Sequence, residues 1–122
     1  MKLAIMQPYF FPYIGYFQLL NAVDKFVIYD DVNYIKKGWI NRNRMLLNGS
    51  PHMFTIPVLK ASQNVPIASI NVNPEQKWRK KLIISITHAY RNAPYFSQSL
   101  PLIEKSIFSK SESIATYTLN SI

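Results

Sequence analysis

The sequence predicts an α/β fold: a small sheet built from an N-terminal parallel βαβ unit and an antiparallel hairpin, flanked by helices. Three observations carry this. An apolar run, a helix-like pattern and a second apolar run follow one another between Lys2 and Tyr29; about 30 residues is the size of a βαβ unit, which crosses over right-handed to make its strands parallel neighbours. Asn48-Gly49 stands between two further apolar runs, and that dipeptide suits a type I′ hairpin turn because both residues tolerate positive φ. From Asn73 onward, apolar residues recur at three- and four-residue spacing, the period of a helix with one buried face.

The elements follow in chain order. Lys2 to Met6 is short, apolar and stopped by Pro8, the pattern of a buried strand. Gly15 to Val23 carries Tyr16, Leu19, Leu20 and Val23 on one helical face, and Phe26 to Tyr29 is the second strand. In RMLLNGSPHMFTIPV the prolines Pro51 and Pro57 confine the second hairpin strand to an edge or a short length, since proline cannot donate to a ladder. Lys60 to Val65 reads as a loop, and Ile67 to Val72 alternates as a strand does. Asn73 is placed to cap a helix with Pro74 at its first position. Trp78, Leu82, Ile86 and Ala89-Tyr90 form the buried stripe of that helix, which Asn92 to Pro94 ends. Two more helices are expected after it. The last, SESIATYTLNSI, still presents Ile114, Tyr117, Leu119 and Ile122 at the final residue, so a fragment of a longer protein is expected.

At 122 residues, 48% hydrophobic and 16% charged, the chain supports one globular domain and is too apolar for disorder. No apolar run approaches the roughly 20 residues that span a bilayer. Lys2 followed by an apolar stretch broken at Gln7-Pro8 does not make a signal peptide, so a cytoplasmic location is expected. Without cysteine, disulfides, thiolate catalysis and cysteine zinc sites are excluded. The net charge of +8 favours anionic partners. Its denser groups are Lys36, Lys37, Arg42 and Arg44, and Lys77, Arg79, Lys80 and Lys81; each is read equally as a solvated face or an anion site. Neither resembles a basic nucleic-acid tail, so the expected partner is an anionic small molecule rather than nucleic acid.

The candidate site begins at QPYFFPYIGYF. Ligands of parallel sheets gather at the carboxyl ends of strands, where helix N-termini offer free N–H groups. Gln7 and Pro8 follow the first strand, and Gly15 and Tyr16 open the helix. The bland alternative is a proline-stiffened aromatic loop that closes the core. Asp30 and Asp31 end the second strand; there a carboxylate can orient a sugar hydroxyl, take a proton, or merely cap a turn. One adjacent pair supplies too few converging oxygens for a metal, and none is expected. In WINRNR, Trp39 offers a flat face and Arg42 and Arg44 offer planar forks on one side of a strand, with Asn41 and Asn43 on the other. That set suits an anionic, hydroxyl-rich ligand; the alternative is a surface arginine pair bonded to Asp30 or Asp31. His52 and His88 have no second ligand at metal spacing, and no P-loop, G-x-S-x-G or G-x-G-x-x-G is present. The cofactor is unknown.

The series IMQPYFFPYIGYFQLL, DKFVIYDDVNY, WINRNR and WRKKLIISITHAYRNAPYF resembles the WbqC-like protein family. The resemblance runs from Met1 to about Phe96 in order and spacing, at Gln7, Pro8, Pro12, Gly15, Tyr16, Asp24, Asp30, Asp31, Trp39, Arg42, Asn43 and Tyr90. Family members continue for roughly as long again, which implies that residues 1–122 are one α/β domain at the N-terminal end of a longer protein. The family's association with bacterial O-antigen and other surface-polysaccharide gene clusters implies modification of an activated amino sugar, by acyl or aminoacyl transfer. Asp30 and Asp31 are then the catalytic candidates, and Gln7, Pro8, Gly15, Tyr16, Trp39, Arg42 and Asn43 the substrate-binding ones. A nucleotide-linked sugar and other glycan-synthesis proteins are the implied partners. The competing expectation is a non-catalytic scaffold in a glycan-synthesis complex, with an exposed aromatic patch at Tyr9, Phe10, Phe11 and Tyr13. Leu82 departs from the family, many of whose members carry histidine there.

Overall fold

In a computed structural model, which describes residues 1–122, the chain runs β1 (Leu3–Met6), α1 (Ile14–Ala22), β2 (Lys25–Ile28), β3 (Arg42–Leu47), β4 (Ser50–Thr55), β5 (Val58–Leu59), β6 (Asn71–Val72), α2 (Lys77–Tyr90), α3 (Phe96–Ile107) and α4 (Ile114–Leu119). The fold class is the expected mixed α/β one, with three two-stranded sheets: parallel β1–β2, antiparallel β3–β4 and antiparallel β5–β6.

Strands β1 and β2 pair from Leu3 with Lys25 to Met6 with Ile28, and the Tyr29 amide adds a last bond to the Met6 carbonyl at 2.8 Å. Successive strand residues face opposite sides. Helix α1 covers one of them, with the buried Tyr16 ring 5.3 Å from Phe26. On the other side Leu3, Ile5, Val27 and Tyr29 remain between 43% and 56% exposed. Parallel strands are ordinarily buried on both faces; this pair is covered on one.

The hairpin turn is as the sequence predicts: Asn48 and Gly49 both take positive φ, 51° and 77°, as a type I′ turn requires. Two boundaries differ. Only Asn71 and Val72 of the expected strand at Ile67–Val72 pair in a sheet, whereas Ile67–Ser69 is a single 3-10 turn. Its amides are bonded elsewhere, Ile67 to the Val32 carbonyl and Ala68 to the Asp30 carbonyl, so the ladder that would make a strand is unavailable. Helix α2 starts at Lys77 rather than Pro74. The Asn73 side-chain oxygen accepts the Glu75 amide at 2.9 Å, and the Asn73 carbonyl accepts Trp78 Nε1 at 3.0 Å; this local turn competes with helix over three residues. Helix α4 has a proper cap, the Ser113 hydroxyl accepting the Thr116 amide.

The core lies among the hairpin, α2, α3 and α4. Phe10, Ile56, Ile67, Ile107, Ile114 and Tyr117 are wholly buried in one cluster. Phe10 is the contribution of the N-terminal loop: its ring stacks on Tyr117 at 5.4 Å and meets Phe54 edge-on at 6.4 Å. The Phe11 amide donates to the Ser121 hydroxyl across 110 residues. The patch expected at Tyr9–Tyr13 is therefore divided, with Phe10 inside and Tyr13 outside. No helix is long and apolar enough to cross a membrane.

Candidate functional site

The loop between β1 and α1 sits against the segment that leads into β3. Phe10 N–H donates to the Ile40 carbonyl at 3.1 Å, and Asn43 Nδ2 donates to the carbonyls of Phe10 and Phe11 at 2.9 and 2.5 Å. Phe11 has positive φ, 47°, a conformation uncommon for a bulky residue; the Asn43 amide holds the chain through that bend. Pro8 and Pro12 are buried beside it. Tyr16 donates to the Gln7 carbonyl at 2.9 Å, tying the first turn of α1 to the end of β1. Gly15 admits a close neighbour, the Tyr13 ring, which a Cβ would meet at 2.5 Å.

Trp39, Arg42 and Arg44 form the exposed part. The guanidinium carbons of Arg42 and Arg44 stand 5.3 and 4.9 Å from the centre of the Trp39 ring, within cation–π range. Both arginines leave the same side of β3, as the strand period requires. Arg42 is anchored by the carbonyls of Gly38, at 3.0 Å from Nε, and Lys37, so its bonds go to backbone and not to an aspartate. Arg44 has no side-chain hydrogen bond and is exposed. Its charge reaches the aromatic loop: burial and then Tyr13 push the Tyr9 phenol up, while Arg44 pulls the other way. Tyr9 also lies 6.3 Å from both Tyr13 and Tyr16. Tyr9 packs beside Tyr13, and Arg44 beside Trp39.

Asp30 and Asp31 lie past the end of β2, half-buried and exposed respectively. Asp30 meets the 3-10 turn through its carbonyl, and neither carboxylate bonds to the arginines or Trp39. Three cavities open near these elements, and none is lined by Gly15, Asp30, Asp31, Trp39 or Arg42. One of about 1030 Å³ runs between Phe11, Lys105, Phe108 and Asn120. Another of about 470 Å³ opens beside Arg79 and Lys110. A third of about 220 Å³ is mostly apolar and takes in Asn43 and Arg44 with Phe11 and Tyr90. Tyr90, expected in the buried stripe of α2, instead accepts the Leu46 amide on β3 through its hydroxyl. Leu82 is core.

Two polar residues escape the sequence reading. Asn41 is buried, accepting the Tyr34 hydroxyl and donating to the Ile56 carbonyl, both at 2.9 Å; nothing local marks it. Arg79 is 4% exposed. Grouping it with the neighbouring lysines hides it, yet positions 79, 82 and 86 share one helical face with the same three- and four-residue spacing as the core residues.

The "WbqC-like protein family" model matches residues 7–122. A stretch of 57 residues is 46% identical to an uncharacterized protein, Rv1507c, of Mycobacterium tuberculosis (strain ATCC 25618 / H37Rv), and covers 47% of this chain but only 25% of that relative. No solved structure matches. Since the family match takes in both the Gln7–Tyr16 loop and the Trp39–Arg44 segment, together with every element from α1 to α4, the chain belongs to the WbqC-like protein family.

Proposed function

We propose that the chain acts in bacterial surface-polysaccharide synthesis as part of a transferase that modifies an activated amino sugar. The observation that carries this reading is the Trp39 ring flanked by Arg42 and Arg44 at 5.3 and 4.9 Å, beside an aromatic loop. A flat aromatic surface stacks on a sugar or base, and guanidinium forks take the phosphates of a nucleotide carrier. Lys36 and Lys37 extend the positive field, within a net charge of +8. In acyl transfer the sugar amine would bond the acyl carbon as the bond to the donor's leaving group breaks. The accessible Asp30 or Asp31 would take the amine proton.

The experiment titrates UDP- and dTDP-amino sugars into the protein and into Arg42→Ala and Arg44→Ala. Losing one charge-assisted fork weakens binding by about tenfold. Arg44→Ala carries the decision, because Arg42 also holds backbone carbonyls. Equal binding by all three proteins would remove the arginines from the site. A second reading, a non-catalytic partner in a glycan-synthesis complex, draws support from the uncovered apolar face of β1–β2. It gains if no nucleotide sugar binds while a neighbouring glycan-synthesis protein does, and that binding fails in Ile5→Asp.

A further inference from the structure

Arg79 is the most deeply buried charge in the molecule. Its Nη1 donates to the Ile107 and Ser109 carbonyls, at 2.5 and 3.1 Å, which closes the C-terminal end of α3. Trp78 and Tyr117 lie against the guanidinium, with ring centres 4.6 and 5.4 Å from its central carbon. These contacts account for one amine and the flat faces. Nε is buried without any partner, and Nη2 makes no hydrogen bond either. The Nε–Nη2 edge is the side-on fork with which arginine grips a carboxylate or phosphate in two parallel bonds. Leaving a buried donor unmet is costly, and here the unmet donor, Nε, belongs to a full charge.

Arg79 lines a cavity of about 470 Å³, within the size range of small-ligand sites. Lys110 supplies a second cation at its wall, Ser111 a hydroxyl, and Gln76 an amide. The 14-residue helix α2 begins there, with Gln76 at its cap; no side chain caps it and its first turn holds no acid. Its first amides and the positive end of its dipole are therefore free for an anion. Glu112 also lines the wall, but it is exposed.

We infer that the cavity between the start of α2 and the α3–α4 loop is a binding site for a small phosphoryl-bearing anion, held by the Arg79 guanidinium and by Lys110. This site is separate from the Trp39 face and does not depend on it.

The test is calorimetric titration of inorganic pyrophosphate into the protein, at constant ionic strength. Saturable binding that persists in Arg44→Ala is expected, since Arg42 and Arg44 can take a phosphate of their own. Lys110→Ala, an exposed position without a hydrogen bond, should keep the fold and weaken binding by about tenfold. Arg79→Lys keeps the charge but removes the planar guanidinium, and should weaken it further. Trp39→Ala should leave it unchanged. Absence of saturable binding at millimolar pyrophosphate would overturn the proposal. So would equal affinity in Lys110→Ala, or loss of binding in Trp39→Ala. Should Arg79→Lys fail to fold, the Lys110 and Trp39 variants still decide.

Discussion

The β1–α1–β2 unit and the body formed by the hairpin with α2, α3 and α4 are put together differently. In the body, wholly buried Ile56, Ile67, Ile107 and Ile114 meet in one cluster. In the N-terminal unit, Ala4 and Tyr16 are the only buried residues of β1, α1 and β2, and the outer sheet face is open. The β1–α1 loop is a main junction of the two: Phe10 reaches into the body, and Asn43 holds the Phe10 and Phe11 carbonyls. A short parallel unit can thus be fastened by an inserted ring, a side-chain clamp and a few backbone bonds, among them those from Ile67 and Ala68 to the Val32 and Asp30 carbonyls just past β2, rather than by a broad packed interface.

Breaking the fastening should cost most. Phe10→Ala is expected to lower stability by about 3–5 kcal/mol, the range for truncating a fully buried aromatic, read from urea melts. If instead the body melts as before while only β1, α1 and β2 lose amide protection, the two regions unfold independently. Asn43→Ala should cost about 1–3 kcal/mol, because two carbonyls lose their donor, and should raise hydrogen exchange in residues 7–13 before it does so in β3. Ser113→Ala tests the body alone, with a loss of about 1 kcal/mol at the α4 cap. Smallest of all, Ile5→Thr on the open face should move stability by less than about 0.5 kcal/mol; a larger loss would mean that this face is covered in solution.

Alkali separates the regions in another way. Burial pushes the phenols of Tyr16, in the N-terminal unit, and Tyr117, in the body, above their ordinary value of 10.0, Tyr117 the more strongly and despite the opposing Arg79. A phenol harder to ionise when folded gives stability that is complete below the unfolded value and is lost as pH rises from there towards the folded one. Melting temperature should therefore fall above about pH 10, and Tyr117→Phe should flatten that fall more than Tyr16→Phe does.

The parts of this fold that are legible in the sequence are those set by neighbours along the chain. Asn48-Gly49 dictates its turn through two positive φ values, and the apolar runs on either side of α1 dictate a parallel pair. Where distant groups compete, local signals mislead. The alternation at Ile67–Val72 suggests a strand, but Val32 and Asp30 take the first amides, and Asn73 delays α2 by bonding to Glu75. Arg79 has the charge of a surface residue in a position of core spacing, and spacing prevails because Trp78, Tyr117 and two carbonyls receive the guanidinium. At the candidate site, WINRNR is enough to place Arg42 and Arg44 on one side of a strand. Nothing local says that Tyr9 would stand near Arg44, or that the Asn43 amide would hold the loop.

The stacking of Phe10 on Tyr117 has a consequence for synthesis. A ribosome makes the first ring long before the second, and the Phe11–Ser121 bond beside it joins residues 110 apart. Contacts of such long range slow folding, and until α4 emerges the aromatic loop stays uncovered, as a target for chaperones. Of all the segments, this one would be most exposed to a pause in translation.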